Sequence, residues 1–194
     1  MKHFLLPLAA FALLGGCATN SVSPVEVTRF AAPQAVLGQG TIAVRPVPGI
    51  EANSLEFSTY AGAVAAELAR LGYTVVQGNA PQVAEIGYSR FVEQGVRDRS
   101  PVTVGGGAST GTFGSGVGLG VGIDLSGPPP ARLDNELRVL IRPASGGTAL
   151  WEGRARFSAT ANSDYSNTQA AANRLAGALF TGFPGESGQT IEVR

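Results

Sequence analysis

Apolar and polar positions along the chain recur with two periods, and the switch between them marks the elements. Val25-Glu-Val-Thr-Arg-Phe30 alternates residue by residue, which predicts a first strand. Thr41–Arg45, with Ile42 and Val44 on one side, predicts a second, stopped by Pro46 and Pro48. From Asn53 the spacing lengthens to three and four. Phe57, Tyr60, Ala61, Val64, Leu68 and Leu71 make one helical stripe, with Glu56, Thr59, Ala63, Glu67 and Arg70 on another face. Asn53 followed by Glu56 reads as the capping box that opens this helix. Glu67 is within reach of Arg70, and Gly72 closes the helix, because glycine takes the left-handed conformation without steric penalty. Tyr73–Val76 reads as a short strand. Val83–Glu93 reads as a longer one, in which Ala84, Ile86, Tyr88 and Val92 alternate with Glu85, Gly87, Ser89 and Phe91.

In the second half, 134–142 and 148–162 both alternate around the turn Ala144-Ser145-Gly146-Gly147 and predict a hairpin. Ala149, Trp151, Gly153, Ala155, Phe157 and Ala159 share one face; Glu152, Arg154, Arg156, Ser158 and Thr160 share the other. If Ile141 opposes Ala149, then Arg138 faces Glu152, Glu136 faces Arg154 and Asp134 faces Arg156. A shift of two residues sets Arg138 against Arg154 instead. Opposite charges across a strand pair contribute about 0.2–1 kcal/mol each and like charges cost about as much, so the first register is expected. A second helix follows, with Ser166 as cap, Gln169 completing its box, and Ala171, Leu175, Ala178 and Leu179 as its stripe. Gly182 and Pro184 end it, and Gln189–Val193 adds an edge strand.

The predicted order is β-β-α-β-β, insert, β-β-α-(β). This is an α+β fold: an antiparallel sheet with two helices packed on one face, a two-layer sandwich. The domain spans 25–193, with an insert at 94–133. Nine of the 18 residues from Gly105 to Gly122 are glycine, and Pro128-Pro129-Pro130 closes the insert. Helix is excluded there, since each glycine costs about 1 kcal/mol relative to alanine. From Gly114 onward glycines alternate with Ser115, Val117, Leu119 and Val121, continuing to Ile123. One reading is a disordered hairpin tip. The other is an extended ribbon that contacts a partner or lipid through Val117, Leu119, Val121 and Ile123, because an exposed apolar ribbon needs something to cover it.

Composition sharpens this picture chiefly by position. Phe4–Leu14 is an apolar run of 11 residues behind Lys2 and His3. A membrane-spanning helix needs about 20 apolar residues, so the run has the dimensions of a signal peptide. Leu14-Gly15-Gly16-Cys17 resembles the bacterial lipobox. That resemblance implies cleavage between Gly16 and Cys17, removal of 1–16, and acylation of Cys17 as a membrane anchor on a short tether, 17–24. Each buried methylene contributes about 0.8 kcal/mol, so several acyl chains hold a protein to the bilayer. Ala18, rather than Asp, follows the cysteine and points to the outer membrane.

Lys2, His3 and Cys17 are the only Lys, His and Cys among 194 residues. Past Cys17 remain 13 Arg against 14 acidic residues, a net charge of −1. That balance gives no electrostatic reason for nucleic acid binding. No Lys is left for a phosphate loop, no His or Lys for serine chemistry, and no His or Cys for a metal site, so no nucleotide, metal or cofactor is expected. Two carboxylates can in principle hydrolyse a glycan, but Glu136 and Glu152 are explained more simply as partners of Arg154 and Arg138. Trp151 and Tyr88 suit sugar stacking, yet both fall on faces assigned to the core.

Four segments carry a family resemblance: Val25–Phe30, Ser54-Leu-Glu-Phe-Ser-Thr-Tyr60, Glu67-Leu-Ala-Arg-Leu-Gly-Tyr73 and Phe183-Pro-Gly-Glu-Ser-Gly188. Taken in order they resemble the bacterial envelope lipoproteins described as domain of unknown function 4136. The resemblance implies a lipid-anchored α+β domain and brings no catalytic residues. The functional expectation is a non-catalytic outer-membrane lipoprotein facing the periplasm, an adaptor or accessory subunit with an envelope protein partner. A binding module for a small apolar or glycan ligand is the alternative, and a carboxylate hydrolase the third.

Overall fold

The computed structural model describes residues 20–95, 102–111, 114–123 and 129–194. Residues 1–19, with the expected cleavage and acylation positions Gly16 and Cys17, lie outside the described residues. The elements are β1 (Val25–Ala31), β2 (Thr41–Pro46), α1 (Leu55–Arg70), β3 (Thr74–Val76), β4 (Gln82–Glu93), β5 (Val102–Gly111), β6 (Gly114–Ile123), β7 (Arg132–Pro143), β8 (Trp151–Thr160), α2 (Thr168–Phe180) and β9 (Thr190–Val193). Seven strands form one sheet in the order β3-β2-β4-β7-β8-β1-β9, while β5 and β6 pair only with each other. α1 packs on β2, β3 and β4, and α2 on β8, β1 and β7. The fold is therefore α+β.

The sheet is mixed rather than wholly antiparallel. β2 runs parallel to both β3 and β4. The unit β2-α1-β3 is a helical crossover, the connection a parallel pair requires. Because β3 is only three residues long, the connection 77–81 can bring the chain back to β2's other flank, where β4 begins opposite Ile42.

The two helices cover one face. Trp151, Tyr60, Ile42, Leu68, Ile86, Leu137, Ile141, Leu175 and Leu179 are fully buried there. Ala63, expected on the polar side of α1, is also buried, because α2 packs alongside it. Tyr60 stacks on Tyr88 with ring centroids 4.3 Å apart, and Trp151 stacks on Phe180 at 5.4 Å. The Trp151 indole N–H donates to the Pro184 carbonyl at 2.9 Å.

Both helix starts differ by one residue from the sequence expectation. Ser54, not Asn53, caps α1, its hydroxyl accepting from the Phe57 N–H at 3.1 Å. Asn167, not Ser166, caps α2, its carboxamide accepting from the Ala170 N–H at 3.1 Å, since Asp164–Ser166 is spent in a 3-10 turn. In each place two adjacent residues can cap, and burial of the apolar stripe selects between them.

The β7–β8 register is shifted by two residues from that expected: Ile141 opposes Trp151, Arg138 opposes Arg154, and Glu136 opposes Arg156. A shift of two leaves every side chain on its face, so alternation does not distinguish the registers. The wider turn sets the register, with Gly146 and Gly147 at φ of 93° and 105° and Leu150 donating to the Ile141 carbonyl.

The tether is also more ordered than its composition suggests. Ser23 donates its N–H to Ser158, Thr160 donates to Ser21, and Val22 bridges Ala159, so the chain is laid along β8 from about residue 20.

Candidate functional site

The sheet face away from the helices carries most of the charge in the described body, and the strand pairings set it out as rungs. One rung runs Ser89, Glu136, Arg156, Glu26, Glu192; the next runs Gly87, Arg138, Arg154, Thr28, Thr190; a third runs Glu85, Leu140, Glu152, Phe30. Five arginines of β7 and β8 stand on this face and each meets a carboxylate. Arg138 pairs with Glu152 at 2.6 Å, Arg156 with Glu26 at 2.6 Å, Arg142 with Glu85 at 2.5 Å, Arg132 with Asp134 at 3.2 Å and Arg154 with Glu136 at 3.5 Å. The hydrogen bond and charge of Glu85 raise the Arg142 guanidinium above its ordinary range.

The expected ion-pair partners Arg138–Glu152 and Glu136–Arg154 are both present, although they reach each other diagonally. Diagonal neighbours across a strand pair lie about 7–8 Å apart at Cα, within reach of long side chains. Asp134, expected opposite Arg156, instead opposes Ser158 and accepts from its hydroxyl, and Arg156 is taken by Glu26 of β1.

A shallow hollow of about 350 Å³ lies on this face near its β9 edge, lined by Glu26, Thr28, Phe30, Glu152, Arg154, Arg156 and Thr190. Phe30 is 52% exposed there. Sequence reading did not single out this residue, though the signal was present. With Val25 and Val27 inward, strict alternation sends Phe30 to the charged face and Arg29 into the core. Arg29 is 4% exposed, and burial lowers its pKa from the usual arginine value.

The other singled-out residues fall as follows. Trp151 is fully buried and Tyr88 half-buried against Tyr60, so both belong to the core. Cys17 and Gly16 lie outside the described residues. Val117, Leu119, Val121 and Ile123 are backbone positions of β6, and their side chains lie outside the description. Among the described residues no three His, Cys, Asp or Glu side chains gather as metal ligands, and no helix is long and apolar enough to cross a membrane.

A family model described as domain of unknown function (DUF4136) matches residues 38–185. An uncharacterized protein of Zymomonas mobilis is 28% identical over 220 residues, covering 90% of this chain and 82% of that protein. Among solved structures, the PelC dodecamer from Paraburkholderia phytofirmans is similar at a TM-score of 0.42 and 13% identity, over 84% of this chain and 99% of that one. A PDZ domain protein from Parabacteroides distasonis is similar at 0.48 and 13%, over 89% of this chain and 38% of that one.

Proposed function

Since the chain belongs to the DUF4136 family, we propose that it is a lipid-anchored, non-catalytic accessory protein of the bacterial envelope, held at the outer membrane through Cys17, facing the periplasm and working by surface contact. One observation carries this reading. Past Cys17 the chain has no His, Lys or further Cys, and five acids of the charged face, Glu26, Glu85, Asp134, Glu136 and Glu152, each hold an arginine. A general acid or base must be free to move its proton to or from a substrate, and a carboxylate bonded to a guanidinium is not.

Labelled palmitate should enter the wild-type chain and not Cys17→Ser, and the wild type should fractionate with outer membranes. In-cell photocrosslinking from the charged face should capture a protein partner. Turnover of an envelope substrate by purified acylated protein, abolished by one Asp or Glu substitution, would refute the non-catalytic assignment.

The alternative of a small glycan ligand is favoured by Phe30, which offers an exposed ring beside Glu152 and Arg154 in the hollow. A ligand between sheet and helices is disfavoured, because Trp151, Tyr60 and Leu175 already fill that space. Loss of glycan retention in Phe30→Ala, with folding unchanged, would select the ligand reading over the adaptor one.

A further inference from the structure

The hairpin β5–β6 and the N-terminal tether leave the body at the same end of the sheet. Glu93, the last residue of β4, pairs with Arg132, the first of β7. Arg132 pairs with Thr160, the last of β8, and Thr160 is bonded to Ser21. The hairpin's stems and the tether thus lie within about three strand spacings, roughly 15 Å. From residue 20, Cys17 is at most about 10 Å away along the chain.

The hairpin's register separates its residues sharply. Val102, Val104, Val117, Leu119, Val121 and Ile123 occupy positions of one face, and the opposite face is glycine except at Thr103 and Ser109. From Val102 to Ile123 there is no charged residue, whereas Arg97, Asp98, Arg99 and Asp124 flank the stems. A two-stranded ribbon is marginal in water on its own, and an uncovered apolar one invites aggregation.

A lipid surface fits these features better than a protein partner. A protein interface carries a polar rim, yet this ribbon is free of charge on both faces. Open strand edges do not cross hydrocarbon, so the ribbon lies in the headgroup region, where water satisfies its edges.

We propose that the β5–β6 hairpin is a second membrane contact, lying in the interface of the bilayer that holds Cys17, with the apolar positions of β6 toward the acyl chains. This rests on the lipid-anchor reading. The test uses the full acylated chain in vesicles of phosphatidylethanolamine and phosphatidylglycerol, with an environment-sensitive thiol probe on Leu119→Cys, Val121→Cys, Gly118→Cys or Gly120→Cys. Probes at 119 and 121 should shift to the blue and be quenched by spin-labelled acyl chains, while those at 118 and 120 should remain in water. Four water-like probes would overturn the proposal, provided circular dichroism matches the parent chain. Release of trapped dye would overturn it too, since that requires a spanning assembly. Reaction of the probe with the unsubstituted chain would show Cys17 free and overturn the anchor itself; a blocked Cys17 without alternation removes the hairpin contact alone.

Discussion

Arg138 and Arg154 stand opposite one another across β7 and β8, two like charges at one rung, and each is held by an acid one step along the diagonal. Glu152 receives both Nε and Nη2 of Arg138, at 3.0 and 2.6 Å. Removing it leaves two guanidiniums facing each other. Glu152→Gln should therefore lower stability by about 0.5–1 kcal/mol at low salt, because exposed pairs contribute little more. The loss should shrink in about 1 M salt, where the screening length is about 3 Å. Urea unfolding at both ionic strengths checks this.

The capping assignments make a paired prediction. Ser54→Ala should cost about 1 kcal/mol through the lost bond to the Phe57 N–H, and Asn53→Ala close to nothing. Asn167→Ala should likewise cost more than Ser166→Ala. Thermal unfolding of the four variants separates them.

Gly153 lies on the inner face of β8, against the Trp151 ring. A Cβ built there would sit 2.8 Å from Leu179 Cδ1 as well as inside the indole's contact distance. Gly153→Ala should destabilise by about 1–3 kcal/mol, since overpacking forces α2 or the indole to move. The near-ultraviolet signal of Trp151, the only tryptophan, should change with it.

Tyr60 supplies a pH signature. Burial first, and Glu56 second, raise its phenol to about 12 from the model-compound value of 10.0, with Arg90 opposing. Its hydroxyl has no hydrogen-bond partner among the described residues, so ionisation would leave a buried charge unsolvated. The folded state keeps the proton longer than the unfolded one. Stability from this group is thus complete below about pH 10 and is lost as pH rises toward about 12. Burial raises Tyr73 as well, so absorbance titration should show both phenols ionising late, and Tyr60→Phe should remove one of the two from that late step.

Arg29 donates from Nη2 to the Ala178 carbonyl at 3.1 Å, near the C-terminus of α2, where the helix dipole favours a cation. Its Nε is buried without a partner among the described residues. Arg29→Met, which keeps the stem and removes the charge, should change stability by less than about 1 kcal/mol, whereas Arg29→Ala should cost about 2–4 kcal/mol through the cavity left. Equal losses in chemical denaturation would refute this.

What could be read beforehand follows from what side-chain periodicity encodes. The stripe Phe57, Tyr60, Val64, Leu68 identifies α1, because burial on one face demands that spacing. Alternation in β4, β7 and β8 identifies strands and faces for the same reason. It is blind to direction, so the parallel pairing of β2 escaped it, and blind to shifts of two, so the Arg138 rung did as well. The partners of Glu136 and Glu152 were legible even so, because long side chains find opposite charge across a diagonal as readily as straight across. Phe30 carried no chemical signal of its own in the sequence, although its parity placed it with Glu26 on the outward side of β1. The charged face spans strands from both ends of the chain, and local pattern cannot bring β1 beside β8.

That pairing of β1 with β8 and β9 ties stretches distant in sequence to one strand. Val25 meets Val193 and Glu26 meets Arg156, so both edges of β1 are filled only once β8 and β9 have joined it. Removing Thr190–Val193 would bare one of those edges, an open row of backbone donors and acceptors at which another strand can add.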